Sequence, residues 1–250
     1  PHTLPAEEEK IIADAGDAMS VSENTFNVLT NSDMEYGYVQ DEDGNMEQLS
    51  DGLYSLLIQS QNRDVRKGAF DTLYASYGQF QNSLASTLSG VVKKHNYNAR
   101  MHKYDSAREA ALADNGVPVE VYDTLIKEVD SHLDLLHRYV ALRKKILGLK
   151  DLQMWDMYVP LTGKPALSYN FEEAKKVAKK ALKPLGEDYL KHVDYIFNNR
   201  VIDPIESKNK VTGAYSGGAY DTDPYELLNW EDNIDSLYTL VHETGHSVHS

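Results

Sequence analysis

The five residues His242-Glu243-Thr244-Gly245-His246 constrain this chain more than any other stretch. Two histidines four positions apart on a helix project from the same face, one above the other, because one turn takes about 3.6 residues. The surrounding pattern agrees with a helix. Ile234, Leu237, Val241, Gly245 and Val248 recur at helical spacing and are expected on its buried face. Asn229-Trp230-Glu231-Asp232-Asn233 supplies capping residues ahead of it. On such a helix both imidazoles can reach one ion at about 2.0–2.1 Å, so His242 and His246 are candidate zinc ligands. Glu243 lies on the flank of the same face and is the candidate catalytic residue. It can take a proton from a metal-activated water attacking a carbonyl and deliver it to the leaving amine. The competing reading is a surface helix with two solvent-facing histidines.

A catalytic zinc site usually has three protein ligands and one open position. His249 falls seven residues after His242 and three after His246. It lies about 10 Å along the axis from His242, at about 1.5 Å of rise per residue. That separation is awkward for joint coordination, and Ser247-Val248 offers no bend to shorten it. His249 is therefore expected to support or pack beside the pair rather than complete it. The third ligand is expected from an upstream carboxylate, from beyond Ser250, or not at all.

The rest of the chain reads as mainly α. Residues 7–31 favour helix, with a break near Gly16 or Ser20–Ser22. A small hairpin is expected near 34–49, turning through Asp41-Glu42-Asp43-Gly44-Asn45. Long helical segments follow from Asp51 to about Ala113, with Val65, Ala69, Leu73, Tyr77, Phe80, Leu84 and Leu88 on one stripe. Pro118 opens a further helix that carries Val121, Leu125, Val129, Leu133, Leu136, Val140 and Ile146 and ends at Gly148. Trp155 to Pro160 should be extended, because Pro160 blocks helix there. Residues 171–197 form an amphipathic helix that Pro184-Leu185-Gly186 kinks or splits. An edge strand is expected near 211–216. The sequence divides into a helical lobe with the hairpin over 1–150 and the start of a catalytic domain over 151–250.

Composition excludes several functions. With no cysteine, the chain has no disulfide, no thiolate nucleophile and no Cys-based zinc knuckle. This fits a reducing cytosol. A formal charge of −14 argues against nucleic acid as a partner, since phosphate binding needs a basic face. No apolar run is long enough to span a membrane, and the N-terminal residues do not form a secretory signal.

Three stretches carry a family resemblance: Lys210 to Tyr220, Pro224 to Trp230, and Leu237 to Ser250. They resemble the oligoendopeptidase F group of the M3, or thimet oligopeptidase-like, metallopeptidases. Arg63 to Lys67, Ala99-Arg100, Tyr104 to Ala107 and Met154 to Leu161 are also similar to that group. The resemblance covers essentially the whole chain, which matches the middle portion of such proteins and stops just after the motif. It implies a multi-helix shell around a deep channel that admits short peptides, in the bacterial cytoplasm. It implies one zinc ion held by His242, His246 and a Glu on a later helix, beyond Ser250. It also implies that Gly213, Ala214, Tyr215, Gly217 and Gly218 bind substrate, through a strand edge that pairs with peptide backbone. Two alternatives stay open: another metal-dependent amidase or carboxypeptidase using the same helix, and a non-catalytic peptide-binding or helical scaffold fragment.

Overall fold

The structure, a computed structural model, describes residues 2–163, 167–207 and 209–250. In chain order the helices are α1 (Ala6–Asp14), α2 (Gly16–Met19), α3 (Val21–Val28), α4 (Asp51–Leu57), α5 (Arg63–Gly78), α6 (Gln81–Met101) and α7 (Ala107–Ala113). They continue with α8 (Val119–Ser131), α9 (Leu133–Ile146), α10 (Phe171–Leu182), α11 (Glu187–Asn198) and α12 (Ile234–His249). The strands are β1 (Tyr38–Gln40), β2 (Met46–Gln48), β3 (Ile202–Asp203), β4 (Tyr215–Gly217) and β5 (Tyr225–Leu227). The chain is therefore mainly α with small sheets, as its periodicity implies. No helix among the described residues is long and apolar enough to cross a membrane.

Packing groups the chain into two compact units that interleave in sequence. The first comprises Pro1–Gly37 and Asp71–Met157. In it α3 lies along α6, and a side chain at Gly90 would collide with Ser22, so the glycine allows the close approach. The single helix expected from Pro118 to Gly148 is two helices. The break falls at His132, whose backbone leaves the helical region at φ −114° and ψ 9°. The apolar stripe of α8 and α9 faces solvent: Val121, Leu125, Val129 and Leu136 are each more than half exposed. The segment expected to be extended from Trp155 begins instead inside a 3-10 turn, Met154–Asp156. There the Asp156 carboxylate accepts from the Gln153 N–H at 2.9 Å, and buried Arg143 donates through Nε to the Asp156 carbonyl at 2.9 Å. Those bonds satisfy the backbone at either end of the turn, which lies upstream of Pro160.

The second unit comprises Tyr38–Phe70 and Tyr158–Ser250. Strands β1 and β2 form the expected antiparallel hairpin, pairing Tyr38 with Gln48 and Gln40 with Met46. Pairing starts at Tyr38, so Met34 to Gly37 precede the ladder. Asp41 fixes the turn by accepting from the N–H groups of Asp43 at 2.9 Å and Asn45 at 2.8 Å. Helices α10 and α11 are separated as Pro184-Leu185-Gly186 predicts. A 3-10 turn, Lys183–Leu185, ends at Gly186, whose φ of +96° suits glycine. The second sheet has the order β3-β5-β4, with β3 parallel and β4 antiparallel to β5. The strand expected near 211–216 thus forms at Tyr215–Gly217, with β4 at the sheet edge.

Helix α12 packs on α10, α11, β4 and β5. Its N-cap is Asn233, whose side chain accepts from the Ser236 N–H at 2.8 Å. The buried face is rotated from the expected one. Leu237, Leu240, Glu243, Thr244 and Ser247 are buried, while Val241, Gly245 and Val248 are only half-buried. The reason is that α12 has two sets of neighbours. Val241 and Val248 pack against Leu182, Leu190 and Val193 from α10 and α11. Leu237 and Leu240 join Ala174, Ala178 and Leu228 in the main cluster of the unit. Polar Thr244 and Ser247 take the remaining inward positions.

Candidate functional site

Helix α12 brings His242 and His246 together as their spacing requires. Both side chains are exposed, their rings stand nearly perpendicular at 84°, and their Nε2 atoms are 3.1 Å apart. That separation tests whether the pair fits a metal. Two ligands about 2.05 Å from a tetrahedral centre lie roughly 3.3 Å from each other. The observed gap is close to that edge, so the pair can share one zinc with little movement. Among the described residues, no third His, Asp or Glu gathers with them to complete a metal site. His249 is exposed at the end of the helix and does not make a third member of the group.

Glu243, one residue after His242 on the helix, is buried at 8% exposure while the two histidines are exposed. It still shares with His242 the lining of a surface depression of about 500 Å³, together with Tyr238, Thr239 and Val241. His242 and Glu243 therefore border one and the same depression. Thr239 also lines a neighbouring cleft of about 490 Å³ that runs past Trp230, Asn229, Ala214 and Gly213. Thr239 of α12 thus borders both hollows. Of the residues proposed to touch substrate, Gly213 and Ala214 line this cleft. Tyr215 and Gly217 begin and end edge strand β4, and Gly218 follows it. Asn229 pins the approach to that strand by donating to the carbonyls of Val211 at 3.0 Å and Gly213 at 2.8 Å.

One functional-looking residue escapes sequence reasoning. Glu226, at the centre of β5, is 2% exposed. Its Oε1 accepts from the Ser247 hydroxyl at 2.8 Å, and Ser247 meets the Ser216 hydroxyl at 2.8 Å. The other carboxyl oxygen and the Thr244 hydroxyl make no hydrogen bond of ordinary geometry. Burial pushes the Glu226 carboxyl up to about 7, and the nearby charge of Glu243 adds to the rise. The Ser247 and Thr244 hydroxyls oppose it by favouring the charged form. The available signal is the period of two in Tyr225-Glu226-Leu227-Leu228, which turns Glu226 and Leu228 inward together. In the sequence a glutamate there reads as a solvent-facing residue.

Comparison with known proteins identifies the frame that holds this site. The family model described as Peptidase family M3 matches residues 56–250, and one described as Oligopeptidase F matches residues 1–36. Oligopeptidase PepF of Bacillus subtilis is 50% identical over all of this chain, which covers 37% of that protein. The plasmid oligoendopeptidase F of Lactococcus lactis subsp. cremoris is 47% identical, with 41% of it covered. The chain thus spans about two fifths of the length of these relatives. The crystal structure of oligoendopeptidase-F from Enterococcus faecium superposes with a TM-score of 0.67 at 40% identity, over 99% of this chain and 39% of that one. A PZ peptidase A structure shares the fold at a TM-score of 0.81 and 18% identity, over 99% and 43%. The motif helix, its histidine pair and the small sheet beneath it therefore sit in a known setting: this chain belongs to peptidase family M3, in its oligopeptidase F group.

Proposed function

We propose that this chain contributes the helix and substrate strand of a zinc-dependent endopeptidase that hydrolyses short oligopeptides. The observation that carries the reading is the 3.1 Å separation of the two Nε2 atoms beside a depression that Glu243 also lines. His242 and His246 would hold the zinc, and a Glu from beyond Ser250 would complete the set. When bound, zinc lowers the pKa of water toward neutrality and polarises a carbonyl. Glu243 then accepts the proton of the attacking water and passes it to the leaving amine. The peptide lies along edge strand β4, whose unpaired backbone offers pairing without side-chain selection. In this division of labour Tyr158–Ser250, in one unit with the hairpin segment Tyr38–Phe70, open the catalytic domain, and Pro1–Gly37 with Asp71–Met157 form the helical lobe. The working place of such an enzyme is the bacterial cytoplasm.

The test is Glu243→Gln in the full-length enzyme. Zinc content should stay at that of the wild type while cleavage of a peptide blocked at both ends falls by several orders of magnitude. Near-normal cleavage would remove Glu243 from the chemistry. A wild-type enzyme that cuts only peptides with a free C-terminus would make the chain a carboxypeptidase component instead.

A further inference from the structure

Glu226 is costly where it stands. A carboxyl group at the centre of a sheet, 2% exposed, loses its hydration, and an aliphatic side chain of similar size would pack there without that loss. Its surroundings offer little compensation. Across the ladder it faces Ser216 on β4 and Ile202 on β3, both uncharged. The charge that reaches it is that of Glu243 on α12, which is of the same sign. A buried carboxyl kept beside a like-charged one marks a functional position more than a stabilising one.

The hydrogen bonds say what the position does. Ser247 has one hydroxyl proton and gives it to Glu226. Ser216 must therefore donate to Ser247, because the Ser247 proton is already committed. The result is a directed chain from edge strand β4, through the motif helix, to central strand β5. Ser247 lies four residues after Glu243, so the two share one face of α12. Anchoring Ser247 to the sheet fixes both the rotation of that face and its position along the axis. It also ties the helix to the strand along which substrate is proposed to lie. With its carboxyl held up to about 7, Glu226 can do this near neutral pH without setting a full second charge beside Glu243.

We infer that Glu226 is a positioning residue for peptide hydrolysis: through Ser247 and Ser216 it sets the Glu243 face of the motif helix against the substrate strand. The inference rests on the peptidase reading, and its effect belongs in kcat, because a misplaced base leaves peptide binding intact while slowing the step it serves.

The experiment compares Glu226→Gln with Glu226→Met in the full-length zinc enzyme, using a peptide blocked at both ends. The two replacements are of similar length, and only Gln keeps an acceptor for Ser247. Glu226→Gln should retain kcat within about threefold of the wild type. Glu226→Met should lose tenfold or more in kcat, with KM within about twofold and one zinc per chain retained. Ser247→Ala, which removes the same bond from the other side, should reproduce the kcat loss and serves as the second variant should Glu226→Met fail to fold. Equal kcat in the Gln and Met variants, or a Ser247→Ala enzyme with unchanged kcat, overturns the inference. So does a loss that appears only as zinc release or unfolding, since that is a purely structural role. The wild type and Glu243→Gln run alongside. If neither they nor the variants differ in cleavage, the peptidase reading has failed and the role of Glu226 in that reaction falls with it.

Discussion

At the scale of the residue, two glutamates near the histidine pair stand in different surroundings. Glu243 is buried yet reaches the depression it shares with His242, whereas Glu226 is closed off behind the helix. The raised carboxyl of Glu226 has a consequence for stability. Its value rises from 4.5 to about 7 in the folded protein, so folding favours the protonated form. The stabilising contribution is fully present below pH 4.5 and is lost as pH rises through about 7. The difference is on the order of 3 kcal/mol, from about 1.4 kcal/mol per pKa unit. Glu226→Gln abolishes that titration. In thermal melts of the full-length enzyme, the variant should gain on the wild type as pH increases from 5 to 8. Parallel curves across that range would show that Glu226 does not titrate as its burial implies.

At the scale of the element, short-range chemistry explains most boundaries. Asn170 and Glu173 exchange hydrogen bonds at the start of α10, at 2.9 and 3.1 Å, in the capping arrangement. Ser50, Ser106 and Asn233 cap α4, α7 and α12 through single bonds to the backbone. Asn233 matters most to the site because it starts the helix that carries the motif. Asn233→Ala should cost about 1 kcal/mol in chemical denaturation. Zinc content should be unchanged, because the histidines lie more than two turns downstream. A loss of zinc in the folded variant would show that the cap positions the ligands as well as starting the helix. The break between α8 and α9 has no such local mark. Leu133 and Leu136 continue the stripe of α8 across His132, and only the backbone at His132 shows that the helix stops there.

At the scale of the whole molecule, the site depends on the core of the second unit. Leu240 is fully buried between α10 and the sheet, in one cluster with Ala174, Ala178, Leu228 and Leu237. Leu240→Ala should cost about 2–5 kcal/mol, the range for a large-to-small change in a closed core. It should lower zinc retention and cleavage together, because it loosens α12 as a body. A cost under about 1 kcal/mol in denaturant titration would mean that the motif helix is held by other contacts.

The sequence by itself determined what is periodic or local. The histidine pair, the caps, the split at Pro184-Leu185-Gly186, the hairpin and the mainly helical class all follow from residues within about one turn of each other. Tertiary structure decided the rest. The buried face of α12 depends on which elements flank it, so Thr244 and Ser247 are buried where Val241 and Val248 were expected. The same dependence leaves the apolar stripe of α8 and α9 facing solvent, although its pattern is that of a buried face. Glu226 and Ser247 are 21 residues apart, and Ser216 and Ser247 are 31 apart. Their chain of bonds exists only because the register of β4 on β5 sets Ser216 opposite Glu226 under the helix. Helical spacing reveals the two residues that would hold the metal. The buried Glu226 carboxyl that anchors Ser247 emerges only once strand and helix have met.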